Sequence, residues 1–135
     1  MSEQPRPPRQ PKGESLYAKY PDYRVDLIPS SERVQVSLGG EIIADSSRTL
    51  TVLETKHAPV TYFLREDVNF DWLEATDHRT FCPFKGEAVY WTARVENRVE
   101  DNVVWGYENP FDEVAALKDY VSFYTDRVEW QRGAE

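Results

Sequence analysis

The 135 residues hold one cysteine, Cys82, and two histidines, His57 and His78. A single thiol excludes an intrachain disulfide and any zinc site built from several cysteines. Neither histidine has a ligand partner at short spacing, so both read as surface residues and no metal site is expected. No apolar run approaches the roughly 18 residues needed to cross a bilayer. The N-terminus also lacks the apolar stretch of a secretory signal, and a soluble, cytoplasmic protein is the expectation. Basic charge is in short supply: 16 Lys and Arg stand against 24 Asp and Glu, for a net charge of −8. Such a surface repels phosphate backbones and anionic lipid, so neither nucleic acid nor a membrane is an expected partner. Several familiar signatures are missing too. The chain has no phosphate-binding glycine loop, no G-x-S-x-G elbow, no H-E-x-x-H, no EF-hand loop and no Asp-x-Asp pair.

Large apolar groups, by contrast, are plentiful. The hydrophobic fraction is 40% and the aromatic fraction 13%, enough to offset the entropy of ordering one domain of this length. Residues 1–13 stand apart, with four of the nine prolines and three basic residues, and read as a disordered or polyproline-II tail. Residues 14–31 carry Tyr17, Tyr20 and Tyr23 among prolines and read as an arm packed on the domain without much regular structure. The domain itself is expected over 32–131. Val34, Val36 and Leu38 alternate with polar residues before Gly39-Gly40, and Ile42-Ile43-Ala44 follows, which is a hairpin pattern. Further strands are expected over 48–54, 60–64, 87–95, 102–107, 120–124 and 127–131, with a short helical turn over 67–74. One helix is expected over 110–118, capped by Asn109, with Pro110 in its first position and the stripe Phe111, Val114, Leu117 facing inward. Strands joined by short turns imply antiparallel pairing, so the fold class is mostly β. In the 87–95 strand, Val89, Trp91, Ala93 and Val95 form one apolar face and Tyr90, Thr92 and Arg94 the other, and because both faces carry large side chains the second is packed or faces a ligand.

Three places could carry chemistry. In Cys82-Pro83-Phe84-Lys85-Gly86, Pro83 suits the second position of a type I turn and Gly86 a following left-handed residue. The turn brings Cys82 and Lys85 together, and an ammonium beside a thiol favours the nucleophilic thiolate. The alternative is a buried, inert cysteine, which residue statistics favour. Glu54 shares a face with Leu50 and Val52, so it points inward as an acid or base paired with Lys85 or Arg65, or lies solvated past the strand end. Asp67 is an acid or ligand group, or else caps the 68–74 turn, and capping explains it without a ligand. The aromatics Tyr62, Tyr90, Trp105, Tyr107 and Tyr124 line a cleft for a flat or sugar-like molecule, or pack as ordinary core.

The segments Tyr62–Val68, Thr80–Trp91 and Trp105–Tyr107, with Gly40–Ser46 and Val121–Tyr124, resemble a family catalogued as a domain of unknown function, DUF 427. The resemblance spans about residues 32–130, and its most specific part is T-x-C-P-x-K-G with Tyr90-Trp91 after it. It implies a β-tent-like fold, two antiparallel sheets meeting at an angle with a cleft between them. It also implies that Glu54, Tyr62, Asp67, Thr80, Cys82, Lys85, Tyr90 and Trp105 line that cleft. Some relatives of the fold bind zinc through paired cysteines, a site that one cysteine cannot build. The family carries a nucleotidyltransferase label in some catalogues, but the paired acidic metal ligands and phosphate loop of such enzymes are not visible here. The function is unknown at this level, and no cofactor is indicated. The leading expectation is a small-molecule cleft, enzymatic if Cys82 or Lys85 is a nucleophile and Glu54 the acid or base, with Tyr62, Asp67, Thr80, Tyr90 and Trp105 on the ligand. The alternative is a non-catalytic ligand-binding or protein-interaction module.

Overall fold

The computed structural model describes residues 15–133, and the tail expected over 1–13 lies outside the described residues. The described chain is mostly strand, in two antiparallel sheets. The strands are β1 (Val25–Ser30), β2 (Val34–Leu38), β3 (Glu41–Ser46), β4 (Thr49–Glu54), β5 (Val60–Leu64), β6 (Leu73–Cys82), β7 (Gly86–Val95), β8 (Arg98–Gly106), β9 (Tyr120–Phe123) and β10 (Glu129–Arg132). The larger sheet has seven strands in the order β1-β4-β5-β9-β8-β7-β6, and the smaller has three in the order β10-β2-β3. None of the helices in the described residues is long and apolar enough to cross a membrane.

Alternation within the strands divides the apolar residues between two clusters. Val34, Val36 and Leu38 of β2 and Ile43 and Ala44 of β3 are all buried against one face of the large sheet, where Phe63, Trp91, Ala93, Val103, Val121 and Phe123 meet them. This is the core between the sheets. The opposite face of the large sheet holds Leu50, Val52, Tyr62, Ala88 and Tyr90, covered by Val114 and Leu117. Strand β7 therefore packs on both sides, as its two large-residue faces suggest: Val89, Trp91, Ala93 and Val95 toward the core, Ala88 and Tyr90 away from it. At about 25 cal/mol per Å² of buried apolar surface, each aromatic on this strand stabilises the fold by a few kcal/mol before entropy is subtracted.

Three local expectations are corrected. Part of the arm is regular, because Val25–Ser30 pairs along its whole length with β4, from Val25 opposite Glu54 to Ser30 opposite Thr49. Among the described residues, only 15–24 form an irregular arm. The helix is a 3₁₀ segment over Asp112–Asp119, kinked at Val114, where the backbone is non-helical, with Phe111 rather than Asn109 at its N-cap and no side-chain cap. Its buried residues explain the geometry: Phe111, Val114 and Leu117 recur every third residue, the period of a 3₁₀ helix. The turn near Asp67 is two short 3₁₀ segments, Arg65–Asp67 and Phe70–Trp72, and Asn69, whose side chain accepts from the Asp71 N–H at 3.0 Å, caps the second.

The Pro83 hairpin forms as its residues dictate. Cys82 pairs with Gly86 across β6 and β7, and the Lys85 N–H donates to the Cys82 carbonyl at 3.3 Å, closing the turn. Gly86 has φ +115°, and a Cβ there would meet the Asn109 carbonyl oxygen at 3.3 Å. The Phe111 N–H donates to the Lys85 carbonyl at 3.1 Å, which presses the 109–111 segment against the hairpin. Gly86→Ala should therefore cost about 1–3 kcal/mol through backbone strain and crowding. Gly40→Ala, where φ is +87° but the surrounding space is open, should cost less. Urea unfolding midpoints of the two variants check the order, and equal midpoints would show that the close approach at Gly86 contributes nothing.

Candidate ligand-binding site

Strand β4 ends with Leu50, Val52 and Glu54 on one face, and the first two are buried. Period two then carries the Glu54 carboxylate onto the same side, against the hairpin that presents Lys85. The Lys85 ammonium donates to Glu54 Oε1, and both side chains are nearly buried, at 10% and 11% exposure. The Tyr23 hydroxyl donates to the other oxygen, Glu54 Oε2, and His57 Nε2 lies 3.9 Å from that atom. Burial alone would raise the carboxyl pKa, but the hydrogen bonds from Lys85 and Tyr23 more than compensate, so Glu54 lies below the ordinary glutamate value. The Tyr23 phenol is pushed up, first by burial and then by its bond to the carboxylate.

These groups stand at one end of a cavity of about 540 Å³. Aromatic side chains make its walls. The Trp105 indole N–H donates to the Tyr62 hydroxyl at 3.2 Å, with the rings edge-to-face at 6.1 Å. Trp105 also packs on Tyr124 at 4.8 Å between ring centres. Tyr90 shares a 2.9 Å hydrogen bond with the Thr80 hydroxyl and meets the His78 ring at 4.5 Å. Tyr107 lies 6.0 Å beneath the Lys85 ammonium. Burial holds the phenols of Tyr62 and Tyr107 well above the usual tyrosine range, so both stay neutral donors.

The cavity opens on the face of the large sheet that points away from the small one. None of its lining residues belongs to β2, β3 or β10. Where a cleft was expected between the sheets the structure has packed core, in which Trp91, Phe63 and Phe123 are fully buried. Of the residues expected to line one cleft, Glu54, Tyr62, Cys82, Lys85, Tyr90 and Trp105 are brought together around this cavity, and Thr80 touches it through its hydrogen bond with Tyr90.

Asp67 is not among them, and it does not cap the following turn. Its Oδ2 accepts from Ser46 Oγ at 2.6 Å, and Arg48 reaches both of its oxygens at 3.0–3.1 Å. The Arg48 hydrogen bond, outweighing burial, holds the Asp67 carboxyl below its ordinary range. Asp67 therefore ties the β3–β4 turn to the 3₁₀ segment.

Lys85 and Cys82 line the same cavity, but the ammonium is engaged by Glu54 and not committed to the thiol. Arg65, the other cation considered for Glu54, pairs with Glu108 at 3.2 Å. Sequence reasoning missed Tyr23 and His57. His57 lies three residues beyond Glu54, a spacing that could have drawn attention to it, whereas nothing local marks Tyr23. Among the described residues, no group of three or more His, Cys, Asp or Glu side chains is placed to hold a metal ion.

Residues 26–132 match the model of a protein family described as a domain of unknown function (DUF427), and the chain belongs to that family. No curated protein matches the chain.

Two outcomes follow from the buried pair. Lys85→Met should destabilise the protein by about 3 kcal/mol, because it leaves an unpaired buried carboxylate. Adding Glu54→Leu should restore part of that loss, and strictly additive costs in a double-mutant cycle would exclude the coupling. Because the folded-state pKa of Glu54 is depressed, its contribution is complete above the unfolded carboxyl value and is lost as pH falls through the folded one. Glu54→Gln should therefore weaken the acid dependence of the melting temperature below about pH 5.

Proposed function

We propose that this member of a family without an assigned activity uses the cavity to bind a small, uncharged, planar molecule that both donates and accepts hydrogen bonds. The observation that carries the reading is the Glu54–Lys85 pair at one end of a 540 Å³ cavity walled by Tyr62, Tyr90, Trp105 and Tyr107. The volume is in the range of cavities that enclose small ligands, about 300–1,000 Å³. Faces of phenol and indole rings take up a flat ligand, and their hydroxyls supply orientation. The ion pair leaves the site close to neutral. A carboxylate or phosphate ligand would have to displace Glu54 from Lys85, and an ammonium would have to displace Lys85, so a charged ligand meets a penalty that an uncharged one avoids.

Binding is favoured over nucleophilic or acid catalysis by the same pair. A general acid near neutral pH needs a raised pKa, and that of Glu54 is lowered. An activated thiolate needs a nearby cation, and Lys85 is held by a carboxylate.

Matched compounds test the reading: nicotinamide and benzamide against nicotinate and benzoate. In ¹⁵N-resolved NMR spectra, the Trp105 indole signal should shift in a saturable way with the amides and much less with the acids. Trp105→Phe identifies the signal, and Lys85→Met should narrow the difference between amide and acid. A Trp105 indole unmoved by all four compounds, or moved equally by acids and amides, rejects the proposal.

A further inference from the structure

The 15–24 arm contributes more to the cavity than any residue pattern in it announces. Its contacts converge on Phe84, at the tip of the Pro83 hairpin. The Leu16 N–H donates to the Pro83 carbonyl at 3.1 Å, and the Tyr17 hydroxyl to the Phe84 carbonyl at 2.6 Å. Tyr20 meets the Phe84 ring edge-on at 6.4 Å, while Tyr23 lies flat on it, with 3.7 Å between centroids and 10° between planes. A stack this close fixes the Tyr23 ring, and the fixed ring aims its hydroxyl at Glu54 Oε2. The Arg24 N–H donates to the Thr55 hydroxyl at 2.8 Å, and the Thr55 N–H to the Arg24 carbonyl at 3.0 Å, which holds the end of the arm beside the end of β4.

Tyr23 and Phe84 also wall a second pocket of about 490 Å³, formed with Lys19, Tyr20, Pro21 and Lys56. The same two rings therefore line both spaces. Tyr23 precedes residues 26–132, the span that matches the family. This chain thus completes a site on the family's fold with a side chain from outside the matched region.

We propose that Tyr23 is a positioning and size-selecting residue of the cavity: its hydroxyl holds the Glu54 carboxylate toward Lys85, and its ring on Phe84 is the partition that ends the cavity and separates it from the second pocket. The size-selecting half rests on the cavity being a binding site, while the positioning half does not. Without the hydroxyl, Glu54 loses one of its two close donors and rotates more freely, weakening the neutral pair that rejects charged ligands. Without the ring, the two spaces join and longer molecules fit. Besides Tyr23, the titratable groups facing Glu54 are Lys85 from the hairpin, His57 beyond β4, and Tyr62, Tyr107 and Tyr17, with Cys82 on the shared wall.

The test uses the full chain and needs no identified ligand. Glu54 is followed by carboxyl ¹³C NMR across pH and assigned with Glu54→Gln. Tyr23→Phe, which keeps the stack, should raise the Glu54 midpoint, because the lost hydrogen bond favoured the ionised form. An unchanged midpoint overturns the positioning role, and a general loosening of the fold would not produce the rise while the circular dichroism melt stays at the wild-type temperature. The partition is read from Cys82, the sole cysteine of the chain, by comparing its alkylation by iodoacetamide with that by the bulkier N-biphenylmaleimide. Tyr23→Ala should speed the bulky reagent about tenfold with little effect on the small one, since access limits only the larger. Tyr23→Phe should leave both rates as they were. If Tyr23→Ala melts early, Tyr23→Leu takes its place. Equal acceleration of both reagents in a folded variant, or acceleration of neither, overturns the partition. A cavity silent to the amides would remove the binding reading and leave the Glu54 result standing, so the two failures are distinguishable.

Discussion

Strand β7 is buried on both faces, and the arrangement of the molecule depends on that constraint. One face supplies Val89, Trp91, Ala93 and Val95 to the core shared with the small sheet. The other supplies Ala88 and Tyr90 to a second cluster, which the small sheet cannot reach. A half-solvated antiparallel strand would carry polar residues on its outer face. Here the first half of the outer face carries Ala88 and the ring of Tyr90, and only Arg94 near its far end is exposed, so other parts of the chain must cover it. The 3₁₀ segment with Val114 and Leu117 covers part of it, and the cavity occupies another part. The second cluster thus both stabilises the sheet and lines the cavity.

The Glu54–Lys85 pair belongs to that second face. Two charges at about a tenth exposure are costly unless they are paired and further hydrogen-bonded, and Tyr23 supplies an added bond. The pair joins the end of β4 to the β6–β7 hairpin, elements distant in sequence and not adjacent in the sheet. It also sets the electrostatic character of the cavity by cancelling the one lysine that lines it. Such a pair is a poor source of net stability compared with apolar packing, and what it does is fix the end of β4 against the hairpin.

Much of this was legible in the chain. Alternation revealed the two-faced β7 and placed Glu54 on the face of Leu50 and Val52, because a strand has only two sides. Pro83 and Gly86 marked the tight turn that carries Lys85, because ring closure and a missing Cβ act locally. Other features were out of reach. Phe111, Val114 and Leu117 fit an α-helix and a 3₁₀ helix alike over so short a stretch, and packing against the large sheet chose the latter. Asp67 has the chemistry of a cap, but Arg48 and Ser46 outcompeted the backbone for it. Tyr23 sits in an arm with three tyrosines and two prolines, and nothing nearby distinguishes it from Tyr17 or Tyr20.

The amino-acid sequence by itself determined most of the strands, though not β1 or the first part of β6, together with the antiparallel class, the hairpin and the side of β4 that Glu54 shares with Leu50 and Val52, since each follows from periodicity or turn chemistry within about ten residues. Tertiary structure alone decided which face of the large sheet would be filled and which would hold a cavity, which cation would meet Glu54, and that the arm would reach across to Glu54. Those outcomes depend on contacts between residues 30 or more positions apart, such as Tyr23 with Glu54 and Glu54 with Lys85. Such contacts form only where chain closure, packing and charge pairing are satisfied together, and no local pattern records that balance.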